Sequence, residues 1–575
     1  MAVREAERGF GHVSGRRPSR YVRLEGVSKQ ALEIGRLRLI VAGMCFLLAF
    51  AVVGGRMVEL AFIGDPELAR RVRGRVSAQL AERADVVDRN GVVLATSLPT
   101  SSLFAHPNDI DDKPRAARSL AVAVPGLRET DVLEKLESGR RFVWLRRNLT
   151  PDEKYAVNRL GVPGFEFQDG ERRVYPHGRL AAHILGFTDV DGRGLSGVEG
   201  FFDAGLRNRV DPLALSIDIR VQNVLREELG KAMLEFHAIG AAGLIMDVNT
   251  GEVLGLVSLP DFDPNHPAAT PKEWRFNRAT HGVYEMGSTF KLFTAAMALD
   301  TGTVGLDDGY DASEPIRVAG FTIHDFHGRK RWLSIPEILV YSSNIGAAKM
   351  AMDVGTELQK TYLDRLGLLR AARVELKEVG GPLSPKIWRP INTMTISYGH
   401  GIAVSPLQVT TAVSSVVNGG WWTPATILRR GDLGAPRARV FRAKTSEQMR
   451  KLMRLVVREG SGRRARAKGY LVGGKTGTAN KQVDGRYSSK ARISSFVGAF
   501  PIDNPRYVVF ALLDEPKGNK ETWNYAGGGW VAAPVVGGVV ARVGPLMGLK
   551  PLGEDRIEAF ERDVLPVTER RLAAW

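Results

Sequence analysis

Three short stretches of this chain carry residues able to perform nucleophilic chemistry. In Tyr284 to Leu299, YEMGSTFKLFTAAMAL, Ser288 and Lys291 stand three positions apart within an otherwise apolar run. Laid on a helix at about 100° per residue, Met286, Phe290, Phe293 and Met297 form one stripe, and Ser288 and Lys291 share the opposite face. That face also carries Ala295 and Leu299, with Leu292, Ala296 and Ala298 on its flanks, so the segment reads as buried nearly all round. Two readings fit. Either a core lysine snorkels to the surface and the serine caps the helix, or the lysine takes the proton of the serine hydroxyl one turn away, which makes the serine a nucleophile.

The second stretch is ILVYSSNIGAAKMAM, Ile338 to Met352, where Ser342, Ser343 and Asn344 interrupt two helix-like runs and belong in the turn between them. Alone, it reads as a helix cap. The third is LVGGKTGTAN, Leu471 to Asn480, a glycine-rich strand in which Lys475 is followed by Thr476 and Thr478 on one face, with Gly477 open to close approach of a ligand. GGKTGT lacks the upstream glycine of a phosphate-binding loop and no helix follows its lysine, so nucleotide binding is excluded.

Positioning these groups requires a large scaffold. The 575 residues suggest two to four domains, and 44% hydrophobic with 25% charged residues is a globular composition. The apolar strands of AAGLIMDVNTGEVLGLVS, Ala241 to Ser258, turn at Asn249-Thr250-Gly251 and feed the Ser288 helix. Further strands lie near Gly473 and Phe496. This order predicts one antiparallel sheet with a helical cluster inserted between its strands, an α/β or α+β catalytic domain over 216–548. It is preceded by a short strand and an amphipathic helix in Leu215 to Met233. Residues 64–215 alternate short strand-like pieces with turns, among them the hairpin signal Asn90-Gly91 and a turn at Pro163-Gly164. They predict an elongated, non-catalytic α+β pedestal.

Ahead of the pedestal, LIVAGMCFLLAFAVVGG from Leu39 to Gly55 predicts a transmembrane helix over 39–63, the sole span, with no second apolar run approaching that length. The basic tail 1–38, Arg4 through Arg38, favours a cytoplasmic amino terminus, although RRVRGR after the span is basic too. Residues 549–575 form a C-terminal tail. The net charge of +17 suits an anionic surface such as membrane lipid. Nucleic acid is excluded for want of zinc-ligand cysteines, an aromatic RNA-binding signature or a compact basic recognition helix. The single cysteine, Cys45, excludes an intrachain disulfide and a cysteine metal site.

In this order, Ser-x-x-Lys, Ser-x-Asn and Lys-Thr-Gly resemble the three signatures of the penicillin-binding protein and serine β-lactamase superfamily. VVDRNGVVLA, RRVYPHG, HILGF, GLSGVEG, DFDPN and YGHGIAVSPLQ extend the resemblance, from about Leu39 to Leu546, to class B penicillin-binding proteins of the division-specific FtsI type. The resemblance implies a pedestal (dimerisation-like) domain and a transpeptidase domain with a penicillin-binding, serine β-lactamase-like fold. It implies a serine D,D-transpeptidase that crosslinks peptidoglycan stem peptides at the septum and is inhibited by β-lactams.

For the residues it implies Ser288 as nucleophile, Lys291 as its base, Ser342 as proton relay and Asn344 as holder of the substrate amide or of Lys291. Lys475, Thr476 and Thr478 would receive a terminal carboxylate, with Gly477 between them, and the N–H groups of Ser288 and Thr478 would form an oxyanion hole. No cofactor and no metal are implied. The implied partners are D-Ala-D-Ala donor and amine acceptor stem peptides, an FtsW-type glycan polymerase and other divisome membrane proteins, in the bacterial inner membrane with the catalytic domain periplasmic. Rival readings are the elongation-specific transpeptidase and a penicillin-sensing receptor. The chain departs from the family at Ala84, where a glycine is usual and a pedestal turn is expected to shift, and in a short connection from Glu199 to Leu215. His324, Asp325 and His327 resemble metal ligands without a third cluster; His400 reads as structural, and Asp514 and Glu515 as strand-end charges.

Overall fold

The computed structural model describes residues 27–62, 83–209, 211–326, 328–431, 434–483 and 485–564. The chain divides into two units, Met1–Ser77 and Ala78–Trp575. In the first, a helix runs from Val27 to Phe62, about 54 Å at 1.5 Å per residue. Its Arg38–Arg56 portion has a mean hydropathy of 2.1 and is long and apolar enough to cross a membrane. Leu39, Leu47 and Phe50 on it are all exposed. The helix starts before the expected span. The arginines before Val27 and those of RRVRGR lie outside the described residues.

The second unit begins with a five-stranded sheet of Val86–Val87, Val93–Ala105, Val143–Leu149, Phe165–Val174 and Leu213–Ala214. The predicted hairpin forms because Asp88 Oδ1 accepts the N–H groups of Asn90 (2.7 Å) and Val92 (2.9 Å) while Gly91 takes a φ of 87°. Helices Lys113–Ala123 and Glu129–Glu137 cover this sheet through Leu120 and Leu136, packed with Leu103 and Leu145. Ala84 donates its N–H to Leu206 O at 2.8 Å and has no left-handed backbone, so alanine fits there without shifting a turn.

Beside Ala84, Arg83 is 3% exposed and binds the fully buried Glu199 and, at 2.8 Å, Asp203, while Arg173 Nε donates to the other Glu199 oxygen at 2.7 Å. Glu199 thereby ties the chain entering the first strand to the strand Phe165–Val174. The short connection after it runs straight into the sheet: Leu213–Ala214 pairs in parallel with Val86–Val87, and Leu215 bridges Leu428. Asn90 and Asp88 then bond to Asp218 and to the Ile219 N–H, at the start of the helix Ile219–Glu235. Val86, Leu94 and Leu213 lie in one apolar cluster with Leu244 and Met246 of the next sheet.

That next sheet is antiparallel, in the order Gly473–Val483, Arg486–Phe500, Tyr507–Asp514, Gly240–Asp247, Val253–Leu259. Gly240–Asp247, Val253–Leu259 and Tyr507–Asp514 are buried along their whole length and read as apolar runs because both faces are covered. Along Tyr507–Asp514, Val508, Phe510 and Leu512 face the helical cluster that includes Lys291–Thr301, Pro406–Val417 and Ala443–Glu459, whereas Val509, Ala511 and Leu513 face Ile219–Glu235 and Gly528–Leu546. The last of these helices corrects an expectation. Gly528–Leu546 is a second apolar run of spanning length, with hydropathy 1.3, but Val531, Val536, Val539 and Val540 are fully buried against the sheet, so it is a core helix.

Candidate active site

The expected helix over Tyr284–Leu299 starts later than its periodicity suggests. Tyr284 pairs with Val404 as an isolated β-bridge, a 3₁₀ turn spans Gly287–Phe290, and the α-helix runs from Lys291 to Thr301. Gly287 makes the turn, with a φ of +54°, and a Cβ there would come within 2.5 Å of Thr478 O and 3.1 Å of Thr478 N. Only glycine allows this contact between turn and strand. It sets the backbones of Gly287-Ser288 and Thr478 side by side, and leaves Ser288 half-buried at the mouth of a cleft of about 730 Å³. Every residue from Lys291 to Leu299 is buried, as the two-sided apolar pattern requires.

Ser342 lies between helices Ile335–Val340 and Asn344–Val354 in a left-handed conformation, φ 59°, unusual for a residue with a side chain. Asp325 holds this junction. Its Oδ2 accepts the Ser343 hydroxyl at 2.7 Å, and its Oδ1 accepts the N–H groups of Asn344 (2.5 Å) and Ile345 (3.0 Å). The suspected metal ligand is thus a helix cap. No group of three or more His, Cys, Asp or Glu able to hold a metal occurs among the described residues; His327 lies outside them.

Four polar atoms surround Lys291 Nζ: Ser342 O and Asn344 Oδ1 at 2.7 Å each, Ser288 Oγ at 2.9 Å and Ser342 Oγ at 3.2 Å. The two short contacts are to obligate acceptors, and Asn344 Nδ2 donates to His324 O, which fixes the amide orientation. A neutral amine has two N–H bonds and one lone pair. Donating to the two carbonyl oxygens leaves the lone pair for the Ser288 hydroxyl. Burial, and next the charge of Lys475, push the Lys291 pKa well below the ordinary lysine value, against a weaker pull from Asp325.

Lys475, also fully buried, donates to Ser342 Oγ at 3.0 Å, and burial lowers its pKa to about 7. The Ser342 hydroxyl therefore bridges two lysine nitrogens. Thr476 Oγ1 lies 2.7 Å from Ser461 Oγ, and Thr478 Oγ1 accepts the Gly528 N–H at 3.0 Å, so both threonines are held from outside the strand. Gly477 corrects another expectation. A Cβ there would meet Met286 O and Ser495 Oγ at 2.4 Å, so the close neighbour is the chain leading into the Ser288 turn and not a ligand.

The structure thus brings Ser288, Lys291, Ser342, Asn344, Lys475, Thr476 and Thr478 to one place. Sequence reasoning missed Asp325 as the cap, Ser461, and a group at the cleft wall: Glu285, Tyr398, His400 and Tyr487. His400, expected to be structural, lines the cleft. Aromatic residues at YGHG were the available signal for that wall. Asp514 and Glu515 end the strand with Lys481 between them, at 2.7 and 2.6 Å.

Residues 241–540 match the penicillin binding protein transpeptidase domain, and residues 78–209 the penicillin-binding protein dimerisation domain. The chain therefore belongs to the penicillin-binding protein transpeptidase family. Within it, the similarity runs to FtsI-type members. The chain is 42% identical over 482 residues, 81% of its length and 82% of the relative's, to the probable peptidoglycan D,D-transpeptidase FtsI of Caulobacter vibrioides. It is 31% identical to the peptidoglycan D,D-transpeptidase FtsI of Escherichia coli K12, covering 88% and 91% of the two chains. Penicillin-binding protein 3 of Mycobacterium tuberculosis shares the fold, with a TM-score of 0.66 at 24% identity over 82% of this chain and 97% of that one. The transpeptidase domain of Burkholderia pseudomallei penicillin-binding protein 3 superposes with a TM-score of 0.53 at 34% identity, covering 59% and 97%.

Proposed function

We propose that the protein is a serine D,D-transpeptidase that crosslinks peptidoglycan stem peptides during septal wall synthesis. One observation carries the reading: a buried lysine of depressed pKa whose free lone pair faces the Ser288 hydroxyl at 2.9 Å. Ser288 Oγ attacks the carbonyl between the two terminal D-alanines as Lys291 takes its proton. The N–H groups of Ser288 and Thr478 stabilise the oxyanion, a contribution of about 3 kcal/mol per donor. The proton passes from Lys291 through Ser342, which contacts both lysines, to the departing D-alanine, leaving the acyl group on Ser288. An acceptor amine then attacks the ester. Lys475, Thr476 and Thr478 receive the terminal carboxylate, and Asn344 holds Lys291.

β-Lactams acylate the same serine. We assign residues 64–215 to the pedestal and 216–548 to the catalytic domain. The apolar helix anchors the chain in the inner membrane, with the amino terminus cytoplasmic and the rest periplasmic at the septum, beside a glycan polymerase of the FtsW type and other divisome proteins. The FtsI relatives favour division over elongation. Depletion distinguishes the two: filaments are expected, and round cells would assign the protein to elongation. For the chemistry, a fluorescent penicillin should label the wild-type protein and leave Ser288→Ala unlabelled; a labelled alanine variant would remove Ser288 from its role.

A further inference from the structure

The cleft is electrically lopsided. Arg463 and Arg464 line it on the turn that carries Ser461, the partner of Thr476, whereas Glu285 is the single carboxylate among the described lining residues. Glu285 stands three residues before Ser288, and Gly287 N–H is bonded to Gly399 O, which brings the turn of His400 against the nucleophile's own turn. Glu285 Oε1 accepts the Gly401 N–H and the Tyr487 hydroxyl, both at 2.8 Å. Its buried Oε2 has no hydrogen-bond partner in the resting geometry and lies 3.2 Å from His400 Nδ1, the nitrogen placed to satisfy it. The Tyr487 ring lies 4.7 Å from the imidazole. With the Nδ1 proton turned to the carboxylate, Nε2 keeps its lone pair on a ring that is 42% exposed at the cleft wall.

We propose that His400, oriented by Glu285, is the base that takes a proton from the ammonium of the acceptor before it attacks the Ser288 acyl-enzyme. This rests on the transpeptidase reading. Amino groups of amino acids have ordinary pKa values of about 8 to 10, so the acceptor arrives mostly protonated and has no lone pair to attack with. Lys291 is enclosed by its four partners and does not line the cleft, whereas the Glu285 carboxylate beside His400 presents negative charge to an incoming cation.

The ammonium gives one proton to His400 Nε2. The freed lone pair forms the N–C bond and the C–Oγ bond of Ser288 breaks. A second proton from the nitrogen returns through Ser342 and Lys291 to Ser288 Oγ, and His400 releases its own to solvent. The groups facing His400 are Glu285, Tyr398 and Tyr487, and Lys291 Nζ lies 6.0 Å from the Tyr398 ring. Arg492 lines the same cleft and supplies the counter-charge to the carboxylate that an amino-acid acceptor carries.

The test uses the full chain in detergent, a thioester donor whose leaving group needs no proton, and D-alanine as the acceptor amine. The ratio of amide to acid product is followed against pH. His400→Gln is expected to lower that ratio at least tenfold and to change the shape of its pH profile; Glu285→Gln lowers it less. A change below threefold, or an unmoved pH profile, would overturn the assignment. A wild-type protein that penicillin fails to acylate would instead overturn the transpeptidase reading itself.

Discussion

Two of the molecule's buried charge clusters are built in opposite ways. In the pedestal, Arg83 and Arg173 enclose Glu199, with Asp203 alongside, so two cations meet two carboxylates. In the catalytic domain, Lys291 and Lys475 are buried around one serine hydroxyl with no carboxylate bonded to either. The Asp325 carboxylate is a countercharge acting on Lys291, and its own bonds go to the backbone and to Ser343. Paired burial leaves the groups charged and makes a strut. Unpaired burial of like charges drives a lysine toward its neutral form and makes a base.

Substitutions in the two places should therefore diverge in sign. The largest effect is expected at Lys291. If that site needed only a cation, Lys291→Arg would keep much of the function; as a base, arginine should fail about as badly as alanine, because a guanidinium is not deprotonated in a protein. Second-order rates of penicillin acylation should fall by ~10²- to 10⁴-fold in both, with circular dichroism confirming the fold. Arginine within tenfold of wild type would make the two buried clusters alike.

Next in size is Glu199→Gln, which leaves Arg83 and Arg173 facing each other across an amide. A loss of roughly 3–5 kcal/mol in denaturant unfolding is expected, with the acylation rate per folded molecule unchanged. Lys475→Met should move stability the other way. A lysine whose pKa falls on folding, here from 10.5 to about 7, binds fewer protons folded than unfolded. Stability thus rises with pH between those values, and at neutral pH and below the buried lysine is a cost. After the loss of its hydrogen bonds, methionine should gain ~1–3 kcal/mol near pH 6 while abolishing activity, a trade visible by comparing melts with penicillin labelling. A destabilised methionine variant would show that Lys475 is a strut as well.

The smallest effect is expected at Asp325. Asp325→Ala removes the acceptor of the Asn344 and Ile345 N–H groups, leaving the Ser343 cap of the Gly346 N–H, and about 1 kcal/mol should go from stability together with a several-fold loss of acylation. Loss of stability without loss of rate would mean that Lys291 and the His324 carbonyl hold Asn344 in place without Asp325.

Residue types and their order made much of this legible in the chain. The order of apolar strands predicted an antiparallel sheet with an inserted helical cluster, Asn90-Gly91 a hairpin, and Ser288 with Lys291 on an all-buried helix a lysine with a reason to lose its proton. All of these are local, because periodicity reports burial and turn chemistry reports φ. What tertiary structure decided is which distant segments meet. The left-handed backbone of Ser342 aims both of its oxygens at Lys291, and the Cβ-free Gly287 and Gly477 let the turn and the strand touch. The same apolar composition gives one helical stretch, Arg38–Arg56, that is unburied and another, Gly528–Leu546, that is packed on a sheet, a difference that hydropathy does not carry. A lysine's pKa, likewise, is a property of its surroundings: the sequence supplied two lysines, and only folding placed them around one hydroxyl, in a medium too apolar to keep both charged.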